Sequence, residues 1–252
     1  MHKDEKGKWQ PNYLFKSPRE CKTITIKPEE LENRVLIVRK DREKLKDKKI
    51  LTHIEKSEKV GLNKRPTLKA RENWFNLGER KFGDAAWIYV INDRYITFEN
   101  KEPKVYLDCE LFDIYFNDKA TSRGYLAYLN SSIIALFSEI GGRTGLGQGA
   151  LKTQVYEVQK FFVPKPELLS EEKLKSLENA LDKMLTRQIG SILEELGANL
   201  PEEVSFEKVK ADRLELDKIV LRDILGLNET EHLEVYRAVV DLVKSRLEKA
   251  KS

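Results

Sequence analysis

Tyr128 to Pro166 reads YLNSSIIALFSEIGGRTGLGQGALKTQVYEVQKFFVPKP, and its order of elements decides the fold class. An apolar, helix-like run leads into a loop holding five of the thirteen glycines: Gly141, Gly142, Gly145, Gly147 and Gly149. After it come an aromatic, strand-like run over Thr153–Val163 and a Pro-Lys-Pro stop. Such a loop brings backbone N–H groups close to a partner, and Arg143, Gln148, Lys152 and Thr153 beside it suit an anion. Gly145-x-Gly147-x-x-Ala150 has the spacing of a dinucleotide fingerprint, but that motif needs a strand before it and a helix after it. Here the order is reversed. A phosphate loop fails as well, because Lys152 does not directly follow a glycine. What remains is either a basic loop that touches phosphates through Arg143, Lys152, Thr153 and the Gly141–Gly149 amides, or a turn whose glycines serve geometry alone.

Working outward, the preceding segment is β-prone. Trp87–Ile91, Asn92-Asp93 and Arg94–Phe98 read as two strands joined by a tight turn. Val105–Leu107 and Leu111–Phe116 add strands, as do Thr23–Ile26 and the buried-type Val35–Val38, while Lys40–Lys56 reads as a polar helix. Tyr125–Ile140 predicts one buried helix stopped at Gly141-Gly142. Beyond a seam at Pro164–Ser170 the pattern turns helical. A helix capped by Ser170 carries an apolar stripe from Leu174 to Leu196, a second covers Ala211–Leu225, and a third starts at Asn228 with Glu231 completing a capping box. The expectation is an α+β protein with a β-rich domain over residues 1–166 and a helical region over 167–252.

The 252 residues are 35% charged and 40% hydrophobic, enough apolar material for a core. Two distant cysteines give neither a disulfide framework nor zinc spacing, which suits a reduced cytoplasm, and no apolar run is long enough for a membrane. Abundant Lys and Glu lean towards a thermophilic source. The net charge of +4 hides a gradient: residues 1–81 carry 23 Lys+Arg against 13 Asp+Glu, whereas residues 167–252 carry 14 against 19. A basic first third is what a polyanion-facing surface needs.

Its densest part is Lys64-Arg65-Pro66-Thr67-Leu68-Lys69-Ala70-Arg71-Glu72-Asn73-Trp74-Phe75, followed by Arg80 and Lys81. Arginine pairs bidentately with guanine or phosphate, and tryptophan stacks or wedges, although a Trp in such a run is more often a core anchor. No catalytic constellation emerges: His2, His53 and His232 are scattered without partners at metal-ligand or triad spacing.

At these same stretches the chain resembles the C-terminal, target-recognising part of adenine-specific (N6) DNA methyltransferases of restriction–modification systems. The matching pieces are KWQPNYLFKSP (8–18), KRPTLKARENWFNLGER (64–80), the Leu129–Pro166 segment and ELDKIVLRDILGL (215–227). The resemblance implies an enzyme whose Rossmann-like domain binds S-adenosylmethionine and methylates a flipped adenine through an Asn/Asp-Pro-Pro-Tyr/Phe motif. None of this chain's eight prolines is adjacent to another, so that motif is absent. The chain then reads as the non-catalytic recognition part, with double-stranded DNA and a methyltransferase catalytic domain or subunit as partners and the cofactor held there. On this reading Lys64, Lys69, Lys81, Lys152 and the glycine-loop amides would position phosphates. Arg65, Arg71, Arg94, Arg123, Arg143 and Gln148 would reach bases, with Trp74, Arg80 and Thr153 completing the surface. Two other readings stay open at this point: a small nucleic-acid-acting enzyme, and an RNA-binding or assembly protein using Tyr89, Tyr95 and Phe98 as a stacking platform.

Overall fold

A computed structural model describes residues 1–144, 147 and 149–250. The chain opens with a small antiparallel hairpin, β1 (His2–Lys3) on β2 (Trp9–Gln10). Next, β3 (Tyr13–Phe15) pairs antiparallel with β4 (Asn33–Arg34). Helix α1 (Lys48–Lys59) follows; its first amides, of Lys49 and Ile50, donate to the Asp47 carboxylate at 2.8 and 3.4 Å. The strands β5 (Ala85–Ile88) and β6 (Val90–Ile91) then diverge. β5 sits between antiparallel β7 (Phe98–Glu99) and β9 (Leu111–Ile114), with β8 (Tyr106–Leu107) parallel to β3. β6 pairs instead with β10 (Leu151–Lys152). The helices are α2 (Ser122–Leu129), α3 (Ser132–Gly141), α4 (Val155–Val158), α5 (Glu171–Leu185), α6 (Ile192–Leu196), α7 (Ala211–Asp217) and α8 (Glu229–Lys249). A π-helical turn, Lys218–Ile224, extends α7. The fold is α+β.

One hydrophobic cluster runs from Phe15 and Phe98 through the sheet to Leu181, Tyr236 and Val240. Across the Pro164–Ser170 seam, α2 packs on α5 and α3 on α8. Val38 and Ile54, beside and on α1, are buried but lie outside that cluster.

Several predicted elements differ, most of them where distant side chains intervene. The tight turn at Asn92-Asp93 is absent: Ala85 pairs with Glu99 while Ile91 pairs with Leu151. The Asn92 carbonyl accepts from Arg246 at 2.6 Å, and the Asp93 carbonyl accepts from Ile192 N at 2.7 Å. Tyr125–Ile140 is two helices. Asn130 turns its amide onto the Thr97 backbone (3.1 and 3.0 Å), and Asp217 accepts from Ser132 N and Oγ at 2.8 and 2.6 Å, restarting the helix. The Thr153–Val163 strand is replaced by α4, whose first turn closes when Gln154 N donates to Glu157 Oε2 at 2.7 Å. The long stripe after Ser170 breaks between α5 and α6, where Arg187 turns to Glu195 and Asp212. Val35–Val38 is no buried strand, since Leu36 is exposed and Val38 makes a single bridge to Asn76. Thr23–Ile26 contributes one parallel bridge, Thr25 to Glu99, and the polar helix begins at Lys48 rather than Lys40.

Candidate nucleic-acid interface

The basic run of residues 64–81 forms an irregular loop beginning with a 3-10 turn at Leu62–Lys64. Proline, three glycine or asparagine positions and many charges leave it without a regular hydrogen-bond ladder. Side chains fasten it to α1. Trp74 Nε1 donates to Glu58 Oε1 at 3.0 Å, Arg42 Nη1 reaches the same oxygen at 2.7 Å, and Asn73 Nδ2 donates to Asp41 at 3.1 Å. Those bonds from Arg42 and Trp74 hold the Glu58 carboxyl below its ordinary range. Trp74 is therefore a half-buried brace set edge-on to Phe75, and not a free stacking surface. Around this brace Lys64, Arg65, Lys69, Arg71, Arg80 and Lys81 are all exposed. Among the described residues none of the six has an ion-pair partner. Unpaired exposed cations on a braced loop are free to meet phosphates without first breaking an internal contact.

The glycine-rich loop has a different character. A Cβ on Gly142 would lie 2.6 Å from the Ser138 carbonyl, and one on Gly149 would crowd Leu247 and Ala250 of the α8 end at 3.1 and 3.2 Å. These glycines permit close packing, and the Gly149 carbonyl is bound by the Arg246 guanidinium. Gly149 is buried, so its amide is no phosphate cradle. Arg143 is exposed, yet its Nε pairs with Glu157 Oε1 at 2.8 Å beside the Tyr156 ring. Lys152 lies 4.7 Å over the Tyr89 ring. Gly145 and Gln148 lie outside the described residues.

Three residues expected at the surface are structural. Thr153 is fully buried, accepting from Trp87 Nε1 at 2.9 Å and donating to the Ile88 carbonyl at 3.2 Å. Arg94 donates to the carbonyls of Pro18 and Cys21, tying the N-terminal segment to the sheet, and its burial lowers its pKa. Arg123 bridges Glu99 (3.0 Å) and Asp182. Tyr95 and Phe98 are buried, so the aromatic platform of the RNA reading does not exist. What the sequence reading missed lies at Arg39, Lys40 and Lys46, exposed and equally without ion pairs among the described residues. In KDREKLKDKK (40–49) Lys40 and Lys46 look like part of a solvated helix, but the helix starts only at Lys48.

Among the described residues no group of three or more His, Cys, Asp and Glu side chains is placed to hold a metal ion, and no helix is long and apolar enough to cross a membrane. Residues 18–197 match the family described as the type II methyltransferase M.Eco57I, C-terminal domain. The chain belongs to that family. Comparison with curated proteins gives no match. Among solved structures, the type IIG restriction endonuclease BpuSI is similar over 96% of this chain and 27% of its own, with a TM-score of 0.62 and 12% identity. The chain thus spans about a quarter of the length of that enzyme, and the likeness is one of fold.

Proposed function

We propose that this chain is the DNA-recognising module of a restriction–modification methyltransferase, without catalysis of its own. Methyl transfer from S-adenosylmethionine belongs to a separate catalytic domain or subunit, since the Pro-Pro motif that such chemistry uses is absent here. The observation carrying this reading is the six-cation loop, exposed and without internal ion pairs, on a chain of the M.Eco57I C-terminal family. Lys64, Lys69, Arg80 and Lys81 hold the duplex through phosphates, and Arg65 and Arg71 reach base edges. Arg143 and Lys152 lie farther along the chain as secondary contacts.

The exposed side chains Ile140, Tyr156 and Phe162, beside a hollow of about 330 Å³, give the catalytic domain an apolar surface to sit on. Duplex binding by the full chain over a salt series tests the reading. Affinity is expected to fall steeply with salt, by roughly one logarithmic unit per logarithmic unit of salt for each phosphate engaged. A candidate catalytic subunit with methyl donor is expected to be required for methylation. Salt-independent or absent duplex binding would overturn recognition, and methylation by this chain alone would overturn the division of labour.

A further inference from the structure

A second surface, adjoining the loop of residues 64–81 but built from other residues, has the chemistry of a nucleic-acid strand site. The β1–β2 hairpin, the segment 37–47 and the Phe82–Tyr106 pair enclose an open groove of about 780 Å³. Five cations line it, Lys3, Arg39, Lys40, Lys44 and Lys46, of which Lys44 pairs with Asp41 at 3.3 Å. Its one lining carboxylate, Asp47, is occupied in capping α1. The other wall is aromatic. Trp9 is 58% exposed with Lys3 Nζ 5.3 Å over its ring. His2 lies 4.7 Å from Phe82, which lies 4.5 Å from Tyr106. An exposed tryptophan costs solvation unless something covers it, and the four cations that have no ion pair among the described residues, Lys3, Arg39, Lys40 and Lys46, repel one another until an anion arrives. A ligand with both a flat ring and a regular negative charge satisfies the two walls together.

We propose that the groove takes a DNA strand whose bases are unpaired, its phosphates on Arg39, Lys40 and Lys46 and one base on Trp9. The inference rests on the DNA reading above. A closed duplex does not fit, because its bases are stacked and their faces cannot reach an aromatic side chain. The groove is continuous with the basic loop: Phe82 follows Arg80 and Lys81 directly, and Val38 is bridged to Asn76. A strand leaving the duplex at the loop enters the groove.

The test compares a labelled blunt duplex with the same duplex carrying a single-stranded flank, by fluorescence anisotropy with the full chain over a salt series. The flank is expected to tighten binding about fivefold or more, the scale of one stacked base. Trp9→Ala is expected to abolish that gain while leaving blunt-duplex affinity and the melting temperature unchanged. The triple variant Arg39→Gln, Lys40→Gln, Lys46→Gln is expected to reduce the salt slope for the flanked form by about 2, at roughly 0.7 per phosphate on a single strand. Equal affinity for the two DNAs, or a flank advantage that survives in both variants, overturns the groove proposal while leaving duplex recognition standing. A free mononucleotide that displaces the flank at micromolar concentration overturns it in favour of a small-ligand site. Binding of neither DNA by the unaltered chain overturns the recognition reading and this inference with it.

Discussion

The loop of residues 64–81 and the helical C-terminal region both abound in cationic side chains, yet they use them in opposite ways. In the loop, Lys64, Arg65, Lys69, Arg71, Arg80 and Lys81 are exposed and, among the described residues, without ion pairs. In the helical region the arginines are spent internally. Arg246 is buried and donates to Glu139 Oε1 at 2.7 Å, to Tyr95 Oη at 3.0 Å and to the Asn92 carbonyl. Arg187 clamps Glu195 and Asp212, and buried Arg213 donates to the Asn130 carbonyl. A cation's sign and number thus say little about its work. Whether a carboxylate already holds it says more, because a buried pair separated on binding would leave an unpaired charge in a low-dielectric interior.

The sharpest way to break this contrast is to remove Arg246. Arg246→Met leaves the buried Glu139 carboxylate without its partner and is expected to cost about 3–5 kcal/mol. The accompanying change Glu139→Gln is expected to recover part of it, measured by chemical denaturation. Full stability in Arg246→Met would mean that the buried network is ornamental and that the two regions do not differ in kind.

Acid tests the same region without mutation. Burial of His232 against Phe206 and Tyr236, with Arg222 and Lys218 nearby, pushes its pKa from 6.5 down to about 4. The unfolded ring therefore gains its proton first. Stability is untouched by this group above pH 6.5 and falls as pH drops towards 4, by roughly 3 kcal/mol in total. Glu195 adds a lower step. Burial raises its pKa, but Arg187, Arg213 and Lys210 overcome that and hold it at about 2, so its contribution is complete above pH 4.5 and is lost as pH falls to 2. Denaturation midpoints between pH 7.5 and 4 are expected to flatten in His232→Gln. An equal slope in that variant would assign the acid sensitivity elsewhere.

The smallest stability effects belong to the loop. Lys64→Ala and Lys69→Ala are each expected to stay within about 0.5 kcal/mol of the parent while lowering the salt slope of duplex binding by about 1. Arg94→Ala is expected to do the reverse. It loses about 1–3 kcal/mol, because the Pro18 and Cys21 carbonyls lose their donor, with no change in slope for the folded fraction. Interchanged outcomes would move Arg94 to the interface and withdraw the loop.

What was readable in the sequence follows the reach of each interaction. The Asn228–Glu231 box is local, and α8 begins where it predicts. Ser170 likewise caps α5, its Oγ accepting from Lys173 N at 3.3 Å, and α3 ends at Gly141. The division at Asn130–Ser131 was not readable, because Thr97, Asp217 and Arg213 enforce it from 33 to 85 residues away. For the same reason Arg94, Arg123 and Thr153 looked like surface residues: their partners are carbonyls, carboxylates and an indole that only the fold brings near. The loop of residues 64–81 was legible since its composition alone keeps it irregular and exposed. The groove was not, since it needs β1, residue 82 and residue 106 side by side.

Val38 and Ile54, buried apart from the main cluster, have a consequence for how such a protein diversifies. The segment around α1 keeps these side chains out of the main cluster and is tied to the loop of residues 64–81 through Glu58, Asp41 and Val38, so substitutions in it touch few residues of the main interior. Under the proposed DNA-recognition role, changes of DNA preference are expected to concentrate in this segment and in the loop it holds.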